Sequence, residues 1–495
     1  MGFLSQIGNV FQWDLMLLMV GSVIYGLIIG ILPGIGGPIS MALLIPLTFS
    51  LSPEAAIVVL LSAYGSSNFG GSITSILINT PGDAVNAATT FDGYPLAKQG
   101  KAGMAITAAM FCSALGGFVG LVVLDLMLPF ARDFILLFSY PDFFMLGLFG
   151  LAVIAVVTQG NTFRGFISAL LGLMLAFIGT EPIMGGERFT FDSDYLWDGI
   201  SLVPAIIGLF AVTEAFKLSR EENTIAGEVK VKSGFTWEGI TVVFKNFWLF
   251  LRSCFIGIYL GMIPGVGGTV ASFMAYGTAV QMSKDKEKFG KGAIEGVIAV
   301  ESANDAKEGG SLLPTLVFGI PGSASMAVLI GGLMMHGLTP GPEMLKKNLD
   351  LTYFLIAAAI VAKVVAMVLG LVIGTRLVFM TKIRCTLMAP AIIVISMLGA
   401  YGIEGRFGDV IVTVLFGLIG IFMQKYGYSR IALTIALVLG GMVEATYHQS
   451  MTTFGPSGFF TRPIAVTLLT LTIVSLVYPF ISNKRKNRTE RSIKS

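Results

Sequence analysis

Long apolar runs separated by short polar turns recur along the chain. A membrane-spanning helix needs about 17 to 25 predominantly apolar residues. Runs of about this length are Leu15 to Leu32, Ala102 to Phe130, Ser201 to Phe216, Leu351 to Gly374 and Ile464 to Phe480. The pattern predicts an all-α polytopic membrane protein with about 10–12 membrane segments.

The composition agrees with a lipid environment. Of the 495 residues, 55% are hydrophobic and 12% are charged, whereas soluble domains carry roughly 25% charged residues. The net charge of +3 comes mainly from loops and the tail, so it reports topology and does not indicate nucleic-acid binding. Cys112, Cys254 and Cys385 lie far apart without a CxxC motif, so we expect buried structural cysteines and no metal or other cofactor.

A long polar stretch rich in basic residues separates the chain into two halves. The longest polar stretch, 217–246, and the tail, 483–495, are both rich in Lys and Arg, which by the positive-inside bias places them in the cytoplasm. We therefore predict a first membrane repeat at 1–216 and a cytoplasmic linker at 217–246. A second membrane repeat with the C-terminal helices follows at 247–482, and a basic cytoplasmic tail at 483–495.

Two glycine- and proline-containing motifs occur once in each half. GILPGIGG at 30–37 returns as GMIPGVGG at 261–268. Further along, GGS at 70–72 leads to NTPG at 79–82, and GGS at 309–311 leads to GIPG at 319–322, with one residue more between them. Two Pro-Gly breaks in the same order in each half imply an internal duplication.

The distribution of Lys and Arg favours inverted repeats. No basic residue occurs before Lys98, whereas Lys245, Arg252 and a lysine cluster that starts at Lys284 flank the first motif of the second half. The chain between Arg252 and Lys284 is too short for two full crossings, which need about 40 residues. We therefore predict re-entrant hairpins whose tips are the motifs at 33–37 and 264–268.

A Pro-Gly pair breaks a membrane helix and leaves backbone groups that protein, water or ligand must satisfy. Half-helix N-termini suit a carboxylate, and carbonyl and hydroxyl oxygens suit Na⁺. The carboxylate candidates are Pro33, Gly34, Gly36, Gly37, Ser72, Asn79, Thr80, Pro81, Gly82, Pro264, Gly265, Gly267, Gly268, Gly319, Pro321, Gly322 and Ser323; those for Na⁺ are Asn68, Ser302, Asn304 and Asp305. The alternative is that these small residues only allow close helix packing.

Charged residues in apolar stretches are Asp125, Glu214, Lys363 and Glu444. For these we expect ion pairs inside the bundle or positions near the interface rather than direct transport roles. The chain has only His336 and His448, so a histidine proton relay is not expected. Neither GxxxxGK[ST] nor HExxH occurs, and no catalytic grouping is recognisable, so we do not expect an enzyme.

At these motifs the chain resembles the large membrane subunit of the tripartite tricarboxylate transporters, the TctA family. The similar stretches include GILPGIGGPISMALLIPLTF, YGSSNFGGSITSILINTPGD, GMIPGVGG and GGSLLPTLVFGIPGSASMAVLIGG. The resemblance implies a secondary transporter of small organic carboxylates in the bacterial inner membrane, driven by a Na⁺ or H⁺ gradient. It also implies two partners, a small membrane subunit and a periplasmic solute-binding protein.

The stretch Asn304 to Glu308 departs from the family pattern, which is small and uncharged there. The charges of Asp305, Lys307 and Glu308 would alter the substrate or the coupling ion, unless Lys307 pairs with Asp305 or Glu308. Three other interpretations stay open: a symporter that works alone, a passive channel, and a polytopic membrane enzyme acting on lipid or peptide.

Overall fold

A computed structural model of the chain describes residues 3–32, 34–157, 162–181, 185–219, 235–377 and 385–477. These residues are overwhelmingly helical, which confirms the predicted all-α class. Within them the strands β1 (Gly179–Thr180) and β2 (Glu187–Arg188) form a short antiparallel pair. Pro33, most of the predicted linker and the basic tail lie outside the described residues.

The first half contains helices of very different length. They are α1 (Phe3–Val10), α2 (Trp13–Ile31), α3 (Gly37–Thr48), α4 (Pro53–Ile78), a 3-10 helix (Ala84–Thr89), α5 (Thr90–Lys98), α6 (Ala102–Ile135), α7 (Tyr140–Val157), α8 (Thr162–Ala176), α9 (Leu202–Ile207) and α10 (Thr213–Leu218), the last two joined by a π-helical turn.

The second half repeats this mixture of long and short helices. They are α11 (Trp237–Lys245), α12 (Phe247–Gly261), α13 (Gly267–Met282), α14 (Ile294–Phe318), α15 (Ala324–Met335), α16 (Pro342–Lys346), α17 (Leu349–Leu369), α18 (Thr375–Leu377), α19 (Cys385–Glu404), α20 (Phe407–Tyr426), α21 (Arg430–Phe454), α22 (Gly458–Thr461) and α23 (Pro463–Val477).

The described chain forms two compact units, each made of two segments. The first unit contains 1–132 and 203–418, and it holds all four sequence motifs. The second contains the described residues of 133–202 and 419–477. In the second unit the Arg462 guanidinium lies 2.8 Å from Asp142 Oδ2, which ties the start of α23 to α7.

Six helices in the described residues are long and apolar enough to cross a membrane: α2, α4, α6, α17 with the π-helical turn after it, α20 and α21. The pair α11 and α12, bent by 79°, gives a seventh if it counts as one span. Shorter apolar helices are α3, α7 up to Ile154, α8, α15, α19 from Ala389 and α23. The predicted count of about 10–12 segments therefore depends on these shorter helices, which are too short to cross alone.

All four sequence motifs interrupt helices, as predicted. The breaks have the same length and cover residues 32–36, 79–83, 262–266 and 319–323; we number them as breaks 1 to 4. Breaks 1 and 3 separate α2 from α3 and α12 from α13, and breaks 2 and 4 end the long helices α4 and α14. The prediction of broken helices is confirmed, whereas the inverted orientation of the halves stays a prediction.

Glycines bring the backbones of neighbouring helices together in the same way in both halves. A Cβ atom at Gly26 of α2 would lie 2.3 Å from the Ala63 carbonyl oxygen of α4. In the second half a Cβ at Gly257 of α12 would lie 2.3 Å from the Ala303 oxygen of α14. Only a residue without a side chain allows this approach, so glycine fixes both packings.

The same contacts correct the alignment of the second motif by one residue. A Cβ at Gly70 would lie 2.5 Å from the Leu27 carbonyl oxygen, and a Cβ at Gly310 would lie 2.2 Å from that of Ile258, its counterpart. Gly70 therefore corresponds to Gly310 rather than to Gly309. With this alignment the spacing from the second motif to the following break, Gly70 to Asn79 and Gly310 to Gly319, is the same in both halves.

We predict that Gly26→Ala destabilises the protein, because the added methyl group overlaps the backbone of α4; overpacking of this kind costs about 1–3 kcal/mol. Gly21→Ala in the same helix is the matched control, since no atom lies within 4 Å of a Cβ there. Thermal unfolding of the purified protein in detergent compares them. Equal midpoints for the two variants would contradict the proposed packing.

Candidate functional site

The four breaks meet around two buried side chains, Tyr64 of α4 and Lys307 of α14. Their side chains are 2% and 3% exposed. The Lys307 ammonium donates a hydrogen bond of 3.1 Å to the Tyr64 hydroxyl. A lysine ammonium has three N–H donors, so it can donate to a further acceptor besides Tyr64.

Main-chain hydrogen bonds join the breaks in pairs. The Gly34 N–H donates to the Gly82 carbonyl (2.9 Å), and the Gly265 N–H donates to the Gly322 carbonyl (3.2 Å). Gly34 and Gly265 have φ values of +82° and +78°, a region that L side chains rarely adopt. The duplicated glycines thus hold break 1 against break 2 and break 3 against break 4.

The two pairs of breaks are joined through Tyr64 and Lys307. A Cβ at Gly37, where α3 begins, would lie 2.7 Å from Tyr64 Cδ2 and 3.4 Å from Ser325 Oγ, which follows break 4. A Cβ at Gly268, where α13 begins, would lie 2.9 Å from Lys307 Nζ. Any larger residue at these glycines would displace the tyrosine or the lysine.

Asp83 supplies the first carboxylate of this region. Its Oδ1 accepts from the Ala84 N–H (2.5 Å), and its Oδ2 accepts from the Gly37 N–H (3.3 Å). It therefore caps the positive end of α3. Asp83 also interacts electrostatically with the Lys307 ammonium, which lies beside the N-terminal end of α13.

A second group of charges lies on α14, next to this region. Lys363 of α17 forms ion pairs with Asp305 and with Glu308 Oε2, the latter at 2.8 Å. Glu308 Oε1 accepts a hydrogen bond of 2.8 Å from Asn68 Nδ2 of α4. Lys363 therefore forms the direct ion pairs with Asp305 and Glu308. The Lys307 ammonium donates to Tyr64 and interacts with both carboxylates electrostatically, without a direct ion pair in the described residues.

A third group surrounds Glu301, which is fully buried. Its Oε1 accepts from Thr89 Oγ1 (2.6 Å), and its Oε2 accepts from Ser72 Oγ (2.8 Å) and Ser113 Oγ (3.0 Å). All three hydrogen-bond partners are hydroxyl groups. They come from α4, the 3-10 helix and α6, so Glu301 joins three elements to α14.

The structure places the predicted carboxylate residues in two groups. Ser72 bonds Glu301, away from the breaks. Asn79 and Thr80 begin break 2: Asn79 is in the left-handed region, with φ of +56°, and Thr80 Oγ1 donates to the Ile78 carbonyl. The remaining candidates, apart from Pro33, lie in or beside the breaks: Gly34, Gly36, Gly37, Pro81, Gly82, Pro264, Gly265, Gly267, Gly268, Gly319, Pro321, Gly322 and Ser323.

Of the predicted Na⁺ residues, Asn68 and Asp305 belong to one network through Glu308 and Lys363. Asn68 bonds Glu308, Asp305 pairs with Lys363, and Ser302 Oγ donates to the Ile298 carbonyl of its own helix at 2.6 Å. Asn304 is fully buried, and neither polar atom of its amide has a hydrogen-bond partner in the described part of the chain.

Sequence reasoning missed Tyr64, Asp83 and Glu301, and treated Lys307 only as a departure from a family pattern. A charge in an apolar stretch was the available signal for Glu301 and Lys307.

The expected ion pairs are confirmed for Lys363, for Glu214 with Lys217 (2.7 Å), and for Glu444 with Arg188. Cys112 and Cys254 are buried as expected, while the Cys385 side chain lies outside the described residues.

Comparison with known proteins gives one family and two relatives. The model of the tripartite tricarboxylate transporter TctA family matches residues 15–435. An uncharacterized 52.8 kDa protein in the TAR-I ttuC' 3' region of Agrobacterium vitis is 33% identical over 479 residues, covering 94% of this chain and 93% of the relative. A second uncharacterized protein, in the TAR-II ttuC' 3' region of that organism, is 32% identical over 236 residues, covering 47% and 98%. No solved structure matches.

We predict that Lys363→Met strongly destabilises the protein, because it leaves Asp305 and Glu308 buried without their cation; such losses cost about 3–5 kcal/mol. Lys347→Met is the control: its exposed pair with Glu343 contributes roughly 0.3–0.5 kcal/mol. Thermal unfolding in detergent compares the two variants. Adding Asp305→Asn and Glu308→Gln to Lys363→Met should restore part of the loss, and a complete lack of rescue would argue against an electrostatic cause.

Proposed function

The chain belongs to the tripartite tricarboxylate transporter TctA family, and from this premise we propose that it imports a small organic carboxylate as the large membrane subunit of a binding-protein-dependent secondary transporter. Membership of a transporter family, together with several helices able to span a membrane, makes it a membrane transport protein. The substrate, its site, the coupling ion and the partners are the parts we propose.

The observation that supports a carboxylate site is the position of the Lys307 ammonium. It is buried at the meeting point of four broken helices and donates to a phenol, while the neighbouring carboxylates Asp305 and Glu308 contact Lys363. A buried ammonium is costly unless a counter-charge accompanies it. Asp83, Asp305 and Glu308 interact with the ammonium electrostatically; a substrate carboxylate would add a direct counter-charge, and the N-terminal end of α13 adds a favourable dipole.

Each neighbouring group has a part in the proposed binding step. Lys307 neutralises the carboxylate, and Tyr64 orients the ammonium and offers its own hydroxyl to the substrate. Asp83 occupies the positive end of α3, so a second carboxylate there would meet repulsion. The glycines at the breaks keep room for the ligand, since a Cβ at Gly268 would approach Lys307. A site with one ammonium and several neutral polar groups would bind the carboxylate weakly enough to release it after transport.

Transport would follow from movement of the broken helices around this site. We propose that a periplasmic solute-binding protein delivers the carboxylate, that a small membrane subunit accompanies the chain, and that a Na⁺ or H⁺ gradient drives uptake. The proposed location is the bacterial inner membrane with a cytoplasmic C-terminus. Inverted repeats would provide the two alternating conformations, as in other secondary transporters with paired broken helices.

Uptake into membrane vesicles that contain the chain and its co-expressed partners tests this function. A panel of di- and tricarboxylates is supplied with and without a Na⁺ gradient. Saturable accumulation of one carboxylate that depends on the gradient is expected. Non-saturating flux would favour a channel, full uptake without the partner proteins would favour a symporter that works alone, and turnover of a compound without a gradient would favour an enzyme.

We predict that Lys307→Gln raises the KM for uptake by roughly 10- to 100-fold, since a hydrogen bond to a charged group contributes about 1.5–3 kcal/mol. Tyr64→Phe keeps the ring and should give a smaller increase. Lys346→Gln, at the exposed end of α16, is the control, and membrane abundance is measured for all three variants. An unchanged KM in Lys307→Gln would contradict the proposed carboxylate site.

A further inference from the structure

We infer that Glu301 and the three hydroxyl groups around it form a Na⁺ site, at a place different from the set predicted from sequence. This inference rests on the proposed function in one respect, that the bound cation is the coupling ion. The site lies on α14, the helix that also carries Lys307.

The geometry provides a compact set of oxygen atoms. Thr89 Oγ1, Ser72 Oγ and Ser113 Oγ lie 2.6 to 3.0 Å from the Glu301 carboxylate oxygens. All four side chains are buried, with at most 1% exposure. Carboxylate, hydroxyl and carbonyl oxygens are the ligands that small hard cations prefer, and nitrogen or sulfur ligands are absent from this set.

The charges of the neighbouring side chains favour a cation at Glu301. The nearby carboxylates Asp305 and Glu308 share the ammonium of Lys363. The Lys307 ammonium donates to Tyr64. Within the described residues, Glu301 receives hydrogen bonds from neutral hydroxyls and forms no ion pair with a basic side chain. In a low-dielectric interior this arrangement favours the uptake of a cation.

A second observation supports this assignment. The Asn86 amide donates through Nδ2 to Ser72 Oγ (2.9 Å) and to the Asn68 carbonyl (3.2 Å). Its Oδ1 is buried beside Gly71 and has no hydrogen-bond partner among the described residues, so a flip of the amide would turn this oxygen towards Ser72. The Ser72 hydroxyl can also donate to the Asn68 carbonyl, at 3.1 Å. If the Ser72 hydroxyl rotates so that its proton points to the Asn68 carbonyl, the proton keeps a hydrogen bond and a lone pair of the hydroxyl oxygen is free to face a cation.

The position of this site suggests how the cation and the carboxylate are coupled. Ser72 lies before break 2 and Thr89 after it, and Asp83 is part of that break. A Na⁺ ion bound to both hydroxyls and to Glu301 would hold the two sides of the break against α14. Because Lys307 is on the same helix, Na⁺ would order the carboxylate site before the substrate arrives, which is positive coupling.

The first test measures Na⁺ binding without any carboxylate. The purified full-length chain in nanodiscs is titrated with NaCl, with choline chloride keeping the ionic strength constant, and its Tm is followed. Na⁺ should raise the Tm of the wild type and leave Glu301→Gln unchanged. Glu295→Gln, which removes a carboxylate from the first turn of the same helix, is the control and should keep the wild-type response.

A matched pair of variants keeps the test valid if Glu301→Gln does not fold. Thr89→Val keeps the shape of the side chain and removes its oxygen, whereas Thr89→Ser keeps the oxygen. The Na⁺ concentration at half-effect should rise about tenfold or more in Thr89→Val and remain near the wild-type value in Thr89→Ser.

Three outcomes would overturn the site. The first is a Na⁺ response of Thr89→Val equal to that of the wild type, and the second is a Na⁺ response of Glu301→Gln equal to that of the wild type. The third is a Tm that depends on pH but not on Na⁺ and that loses its pH dependence in Glu301→Gln, which would assign a proton to Glu301. The test is separate from the proposed function. A Na⁺ response that requires Glu301 and Thr89, without carboxylate uptake, would contradict only the transport proposal. Uptake without that response would contradict only this site.

Discussion

The burial of four charged side chains on one helix is the constraint on which this structure depends. Helix α14 carries Glu301, Asp305, Lys307 and Glu308 into the interior of its unit, where each is at most 4% exposed. In lipid such groups must find partners within the protein. They find a lysine, a tyrosine, an asparagine and three hydroxyls on surrounding helices, and these contacts fix which elements pack around α14.

The duplicated glycines make this arrangement possible. They bring the backbone of α2 into contact with α4 and that of α12 into contact with α14. The long helices α4 and α14 end at breaks 2 and 4, which are hydrogen-bonded to breaks 1 and 3 respectively. The two halves share this scaffold but differ in chemistry. When the two halves are aligned by the glycine packing contacts, with Gly70 matched to Gly310, Asn68 of α4 corresponds to Glu308 of α14. At this position the first half contributes a neutral donor and the second half contributes a charge.

The sequence was informative about local features and less so about pairing. Proline and glycine act through the backbone of their own segment, so the motifs located all four breaks correctly. The Na⁺ candidates were selected because they are polar and near a break, yet Asp305 and Asn68 have partners on other helices. Pairs such as Lys363 with Asp305, or Lys307 with Tyr64, depend on how helices cross, and a shift of one residue in register changes them.

The sequence by itself determined that the chain is an all-α membrane protein of a known family, with a duplicated pair of broken helices, because hydropathy, helix-breaking residues and repeated motifs are properties of contiguous segments. Only the tertiary structure decided that Lys307 faces Tyr64, that Lys363 neutralises Asp305 and Glu308, and that Glu301 lies among three hydroxyls. Those contacts join residues far apart in the chain, and their geometry is set by interhelical packing, which no local pattern encodes.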